Sequence, residues 1–324
     1  MQTTTDINVL DRLLVVNLDV HIWSARKKLL PQDFGNASLP PEELASLGSK
    51  RVCNPDDLKT FATLKARATS LLERTGIRFL NGWTIPTEKQ EEIDNALAAI
   101  RDEFNNAKQD FLSRYQHSVQ EWIQAHPGWE EIIANSIVSE DYVRSRIDFK
   151  WQLYRVVFPG TESAANDNLK NDVSSLGDTL YEEISKFAGE TWKNCYEGKT
   201  EVTRKALSPL KTMHEKLMGL TFIEPRVSSI ADLIRTALDS IPQRGPITGG
   251  KLLMLQGLVA MLKTPSDIVE HGQKILDGQS PDTVLGTIIA SPRSITPTDL
   301  HPGKDDCPLP QPNAVSSLES CGLW

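Results

Sequence analysis

Residues 87–126 read TEKQEEIDNALAAIRDEFNNAKQDFLSRYQHSVQEWIQAH, and the spacing of their apolar side chains decides the fold class. Ile93, Leu97, Ile100, Phe104, Ala107 and Phe111 step by alternating fours and threes, and Tyr115, Val119 and Trp122 continue the stripe as far as Pro127. An α-helix of 3.6 residues per turn returns every third or fourth side chain to one side, so this pattern is a helix with one apolar face. Thr87 and Gln90 have the spacing of a capping box at its start. The stretch predicts one helix of roughly 60 Å, at about 1.5 Å per residue.

A second long helix is predicted from about residue 164, with Val173, Leu176, Leu180, Ile184, Phe187, Trp192, Cys195, Val202, Ala206 and Leu210 on a drifting face. Pro209 is expected to kink it, because a ring nitrogen removes a helix donor and clashes with the preceding turn. Between the two lie residues 128–160, rich in aromatic side chains (Trp129, Tyr142, Phe149, Trp151, Tyr154) and read as one or two short helices forming a head. Two apolar stripes so separated bury each other most simply as an antiparallel, coiled-coil-like hairpin. The expected fold is therefore mainly α: a long antiparallel helical hairpin with shorter helices and room for a small β-hairpin.

Working outward, residues 14–22 alternate apolar and polar side chains with the period of a half-buried strand, a helix through the same residues being the alternative. Residues 23–30 read as a helical turn or two ended by Pro31, and residues 33–41 are rich in turn formers. Asn54 caps a helix opened by Pro55-Asp56-Asp57, with Leu58, Phe61, Leu64, Ala68, Leu71 and Leu72 on one face and Gly76 as its stop. In IRFLNGWTIP (77–86), Asn81-Gly82 signals a tight hairpin that the N-terminal strand is placed to join. The organisation expected is 1–86 as an N-terminal strand, helix and hairpin segment, 87–225 as the long helical hairpin with its head at 128–160, 226–290 as a bundle of short helices, and 291–324 as a disordered Pro-rich tail.

Composition narrows the function classes. With 43 acidic against 35 basic residues in 324, a net charge of −8 and a pI near 5.4, the whole surface is not a nucleic-acid footprint, though a local basic patch is compatible with these totals. Cys53, Cys195, Cys307 and Cys321 are scattered as reduced thiols of a cytoplasmic protein would be. The N-terminus lacks the basic region of a secretory signal. Residues 252–262, bracketed by Lys251 and Lys263, fall short of the about 20 needed to cross a bilayer and read as a buried helix.

The sharpest chemical motif is GPITGGK at 245–251, with the glycine and lysine spacing of a phosphate-cradling loop. It lacks the hydroxyl that holds magnesium, Leu252 standing there, and a helix rather than a strand is expected before it, so a helix-to-helix loop is the better reading. His214-Glu215 has Met218 where a zinc-protease motif needs its second histidine, and Cys195 among core-like neighbours reads as a buried thiol. Arg51, Lys59, Lys65, Arg67, Arg74 and Arg78 give residues 50–78 a positive excess suited to phosphate or an acidic partner, against the plainer reading of a solvated helix face. No residue is assigned a catalytic, cofactor-binding or metal-binding role, which points to a protein that is not an enzyme.

NLDVHIWSARKKLLPQDFG (17–35), LPPEELASLGSKRVCNPDDLKTFATLKARA (39–68) and GIRFLNGWTIP (76–86) resemble the proteobacterial family known as domain of unknown function 3150, over about residues 9–276. The resemblance implies a helical accessory protein of integrative and conjugative elements, carried near genes for a ring-forming MoxR or CobS-like AAA+ ATPase and a von Willebrand A-domain protein. It supplies no active-site residues. Three functional readings follow: an interaction or scaffold protein that binds a protein partner or itself through its long helices, a nucleic-acid-binding accessory acting through residues 50–78, and a membrane-active helical hairpin.

Overall fold

The computed structural model describes residues 9–34, 40–41, 43, 45–158 and 164–290; the predicted tail at 291–324 lies outside the described residues. Among the described residues the strands are β1 (Leu13–His21), β2 (Arg26–Lys28), β3 (Ser49–Arg51), β4 (Ile77–Phe79), β5 (Gly82–Pro86), β6 (Asp148–Tyr154), β7 (Glu201–Val202) and β8 (Ile247–Thr248). The helices are α1 (Lys59–Thr75), α2 (Gln90–Gln124), α3 (Glu130–Ala134), α4 (Glu140–Ser145), α5 (Ala164–Ser174), α6 (Leu176–Thr191), α7 (Ser208–Gly219), α8 (Pro225–Asp239), α9 (Gly249–Leu262), α10 (Pro265–Leu276) and α11 (Pro281–Ala290).

The protein is mainly helical, but an antiparallel sheet in the order β4-β5-β1-β6 stands between its helices. β1 is a strand, as its alternation suggested, and it pairs on both sides: Val16 lies opposite Trp83 of β5 and Leu153 of β6. Because side chains alternate across a strand, Leu13 and Val15 enter one hydrophobic core and Leu14, Val16 and Val20 enter another. The first core takes side chains from α5 to α11, while the second takes them from α1, α2 and α4. Asn17, Asp19 and His21 face the first side beyond the reach of its helices, where they are half-buried or exposed.

The helix predicted at 87–126 exists as the single 35-residue α2, and Ile93, Leu97, Ile100, Phe104, Phe111, Tyr115 and Val119 are buried along it. They do not meet a second long helix. Phe104 and Phe111 pack edge-on against Phe61 of α1, with ring centroids at 4.9 and 6.1 Å, and Phe104 also packs on Phe149 of β6 at 5.4 Å. The expected antiparallel hairpin is thus not formed, because α6, its intended partner, is buried in the core on the other side of the sheet.

The second long helix is also corrected. It divides into α5 and α6, closes in a π turn at Trp192–Tyr196, and gives way to β7 before α7 begins. Pro209 kinks nothing: it occupies the first turn of α7, where the missing N–H would have had no partner. Residues 128–160 contain the short helices α3 and α4 against α2, but Phe149, Trp151 and Leu153 belong to strand β6, their sides apolar every second residue. Residues 26–28 form a strand rather than a helical turn.

Local chemistry accounts for the remaining boundaries. Asn54 accepts the Asp56 N–H at 3.0 Å as the expected cap, opening a 3-10 turn that leads into α1. The Thr87–Gln90 capping box does not form: Thr87 starts a 3-10 turn, its N–H donates to the Arg12 carbonyl at 2.9 Å, and its hydroxyl is buried without a hydrogen bond. In the hairpin, Phe79 faces Gly82, so Leu80 and Asn81 make the corner, with Leu80 at φ +51°. Gly82 is required for another reason: a Cβ there would stand 2.4 Å from the Val16 carbonyl oxygen of β1. Helix α9 buries Leu252, Leu255, Leu258, Val259 and Leu262, as its apolar run suggested. No described helix is long and apolar enough alone to cross a membrane, and the one pair that passes jointly, α9 with α10, is bent by 111°.

Gly82→Ala is expected to lower unfolding free energy by about 1–3 kcal/mol through overpacking, while Gly189→Ala in α6, where a Cβ meets nothing within 4 Å, raises it by about 0.5–1 kcal/mol. Urea denaturation of the two variants beside the parent checks both signs.

Candidate functional site

Where the sheet ends at β4, helices from its two sides meet directly, α1 against α7, and α6 packs on β4 itself. An edge strand leaves backbone N–H groups without strand partners, and a helix C-terminus leaves carbonyls without donors. Two side chains satisfy both needs at this joint. Glu183 of α6 accepts the Arg78 N–H of β4 at 2.9 Å through Oε1 and the Lys216 ammonium of α7 at 2.6 Å through Oε2. Lys216 also donates to the Glu73 carbonyl oxygen in the last turn of α1, at 2.7 Å, where a cation is favoured by the helix dipole. Its side chain is only 8% exposed.

These groups floor a cleft of about 540 Å³ lined by Ser70, Glu73, Arg74, Arg78, Glu183, Lys186, Glu190 and Thr212 among others. Arg78 lies over the Trp83 ring at 3.6 Å and 3.6 Å from a Glu73 carboxylate oxygen. No cysteine or histidine lines the cleft, and the Thr212 hydroxyl donates to the Ser208 carbonyl. The arrangement ties layers together and leaves Arg74 and Lys186 at the wall. Among the described residues no group of three histidine, cysteine or acidic side chains is placed to hold a metal.

A second charged feature is the two-stranded ribbon of β2 and β3. Its register sets Arg26 opposite Arg51, Lys27 opposite Lys50 and Lys28 opposite Ser49, so five of its six residues are basic. Asp33 pins the connecting loop by accepting the Leu30 N–H at 2.8 Å and the Lys50 ammonium at 2.6 Å, with both charged side chains almost wholly buried. The Leu30 N–H, and then Lys50, hold the Asp33 carboxyl below its ordinary value. The ribbon rests on α2 through Trp122, whose indole N–H donates to the Arg51 carbonyl at 3.3 Å. Lys27 reaches within 5.5 Å of the Tyr142 ring of α4, and the Arg146 guanidinium lies 5.1 Å from the same ring.

The six basic residues singled out from sequence do not share one surface. Lys59 and Arg74 sit at opposite ends of α1, about 22 Å apart at 1.5 Å per residue. Arg51 is on the ribbon, Lys59 pairs with Asp56 at 2.9 Å, Lys65 approaches the Val20 carbonyl at 3.5 Å, and Arg67 is held by both carboxylate oxygens of Glu103 at 2.5 and 2.9 Å. Arg74 and Arg78 line the cleft together. Sequence reasoning missed Arg26, Lys27 and Lys28, whose signal was available as two basic triplets, RKK and SKR, flanking a turn-rich loop. It also missed Lys216, which nothing in the local pattern separates from a surface lysine. Residues 240–248 connect α8 to α9, as the helix-to-helix reading expected, with Ile247–Thr248 forming β8 against β7 and Gly249 opening α9. Cys53 is buried, and burial with the nearby Asp57 charge pushes its thiol up to about 12; Cys195 is half-buried against the first core, and both thiols are free.

Fold and site together define a helical protein layered on a four-stranded sheet, with a charged joint at one sheet edge and a cationic ribbon braced on its longest helix. The chain belongs to the family described as Protein of unknown function (DUF3150), whose model matches residues 10–264. No curated protein and no solved structure matches it.

Lys216→Met should lower stability by about 2–4 kcal/mol, because it strands the Glu183 carboxylate and the Glu73 carbonyl; adding Glu183→Gln should recover part of that loss. Chemical denaturation of the single and double variants reads this. Asp33 has a lowered folded-state pKa, so its contribution is present above the unfolded value near 3.8 and is lost as pH falls through the folded one. Asp33→Asn should therefore be less stable than the parent at neutral pH, the gap closing as pH drops below 3.8, as melting curves across pH will show.

Proposed function

We propose that this protein is a non-enzymatic interaction protein of a mobile genetic element, a cytoplasmic accessory that docks on a ring-forming AAA+ ATPase. The observation that carries the reading is a set of large side chains left in solvent on one short segment: Trp129 at 57% exposure, Ile137 at 40% and Tyr142 at 39%. Trp129 precedes α3, Ile137 follows it and Tyr142 lies in α4, while Ile133 and Val143 of these helices are buried against the rest of the chain. Exposed apolar side chains gathered on one segment are characteristic of protein-binding surfaces, where tryptophan and tyrosine supply much of the affinity.

The stripe of α2 is buried within the chain, so the docking surface is moved from the long helix to the segment after it. The ionisable groups best placed for chemistry, Glu183 and Lys216, are occupied in joining α1, β4, α6 and α7, which supports a structural rather than a catalytic role. The ATPase is the partner implied by the family resemblance.

Size exclusion with light scattering, run on the protein alone and with the ATPase encoded nearest to it, tests the proposal. A co-eluting complex is expected, weakened about thirtyfold or more by Trp129→Ala with Ile137→Ala, as for loss of an interface hot spot. A protein that remains alone beside the ATPase, with or without nucleotide, contradicts the reading.

A further inference from the structure

Arg26 and Arg51 stand directly opposite each other in the β2–β3 register, and like charges so placed repel and weaken a ribbon. The neighbouring pair, Lys27 and Lys50, has its repulsion relieved by Asp33, which neutralises Lys50. Nothing does the same for the arginines: neither makes an ion pair among the described residues, and both are exposed. Successive pairs alternate between the two sides of a ribbon, so Arg26 and Arg51 share their side with Lys28 and Ser49, and no acidic residue of either strand lies among them. The ribbon thus sets two exposed arginines opposite each other in its register, on a mount fixed by Trp122 and Asp33.

We propose that the β2–β3 ribbon binds the phosphodiester backbone of duplex DNA without sequence preference, through Arg26 and Arg51 on one of its two sides. Planar guanidinium forks match phosphate oxygens in pairs, and the duplex presents about one negative charge per 1.7 Å, enough to answer several cations on strands about 10 Å long. A single strand is the poorer fit, because its proteins add an open aromatic platform for bases, whereas the exposed ring here, Tyr142, already has Lys27 and Arg146 against it. The ribbon strands carry no asparagine or glutamine to read base edges, so contact stops at the backbone. The ribbon adjoins the Trp129 segment where Lys27 meets Tyr142, but Arg26 and Arg51 stand on the ribbon's other side, so the inference does not depend on the ATPase reading.

The test is fluorescence anisotropy of the full chain with a labelled DNA duplex, the corresponding single strand, and polyglutamate as an acidic-polypeptide probe. Duplex binding is expected to weaken about tenfold to a hundredfold between 50 and 200 mM salt, as two to four phosphate contacts require. Arg26→Glu places opposite charges across the register, so it should lose about tenfold or more in duplex affinity and flatten the salt dependence while melting no lower than the parent. Arg74→Glu in the cleft should bind as the parent does. The proposal is overturned by absence of duplex binding at 50 mM salt, by an Arg26→Glu variant that binds normally, by tighter binding of the single strand, or by binding of polyglutamate in preference to DNA.

Discussion

The pairing of β1 on both of its edges is the constraint on which the rest of the molecule depends. β1 pairs with β5 along Leu13–Val16 and with β6 along Val15–His21, which sets it between two strands, and its alternating side chains are covered on two faces. Two hydrophobic cores follow from that one strand, Leu13 and Val15 belonging to the first, Leu14, Val16 and Val20 to the second. The chain order then sets a geometric task. After β5 the chain is beside β1, and it must return to pair β6 with the opposite edge; α2, about 52 Å long, with α3 and α4 turning back against it, makes that journey. Each additional Å² of apolar surface covered on either face contributes only about 25 cal/mol, so the faces are stabilised by many side chains acting together.

The joint at the β4 edge shows how the two sides of the sheet are made one body. Beyond the last strand there is no sheet to separate the helices, and α1 of one side meets α7 of the other. A buried ion pair in such a place offers little net stabilisation compared with apolar packing, but it fixes which groups meet. Glu183 and Lys216 each serve two partners, a strand N–H and an ammonium in one case, a carboxylate and a helix-end carbonyl in the other. Charge in the ribbon has the opposite character. There Arg26 and Arg51 stand opposite each other in the register with no ion pair among the described residues, which directs attention outward.

Much of the secondary structure was legible because local periodicity is strong where one face of an element is buried. The run from Ile93 to Val119, the alternation of β1, the Asn54 cap, the Gly76 stop and the buried helix at 252–262 all declare themselves this way. What failed was the pairing of stripes. Two amphipathic helices do not reveal whether they face each other or opposite sides of a third element, and the third element was hidden because DFKWQLY, with alternate residues apolar, sits among aromatic side chains that also suit a helix. The long pattern after residue 164 concealed its break at Trp192–Tyr196 because the apolar positions drift gradually. For the site, net charge along residues 50–78 pointed at cations that the fold sends to different places. The ribbon depends instead on residues 26–28 and 49–51, distant in sequence and joined only by strand register.

Amide hydrogen exchange, resolved by residue, tests the central claim that the sheet organises the chain. If β1 is the shared wall of both cores, the amides of its inner residues, such as Val16 and Leu18, exchange only through global unfolding, at the same free energy as the buried turns of α2 and α6. Rapid exchange through β1 while α2 and α6 remain protected would contradict the account, since the two helices would then be holding the molecule together without the strand between them.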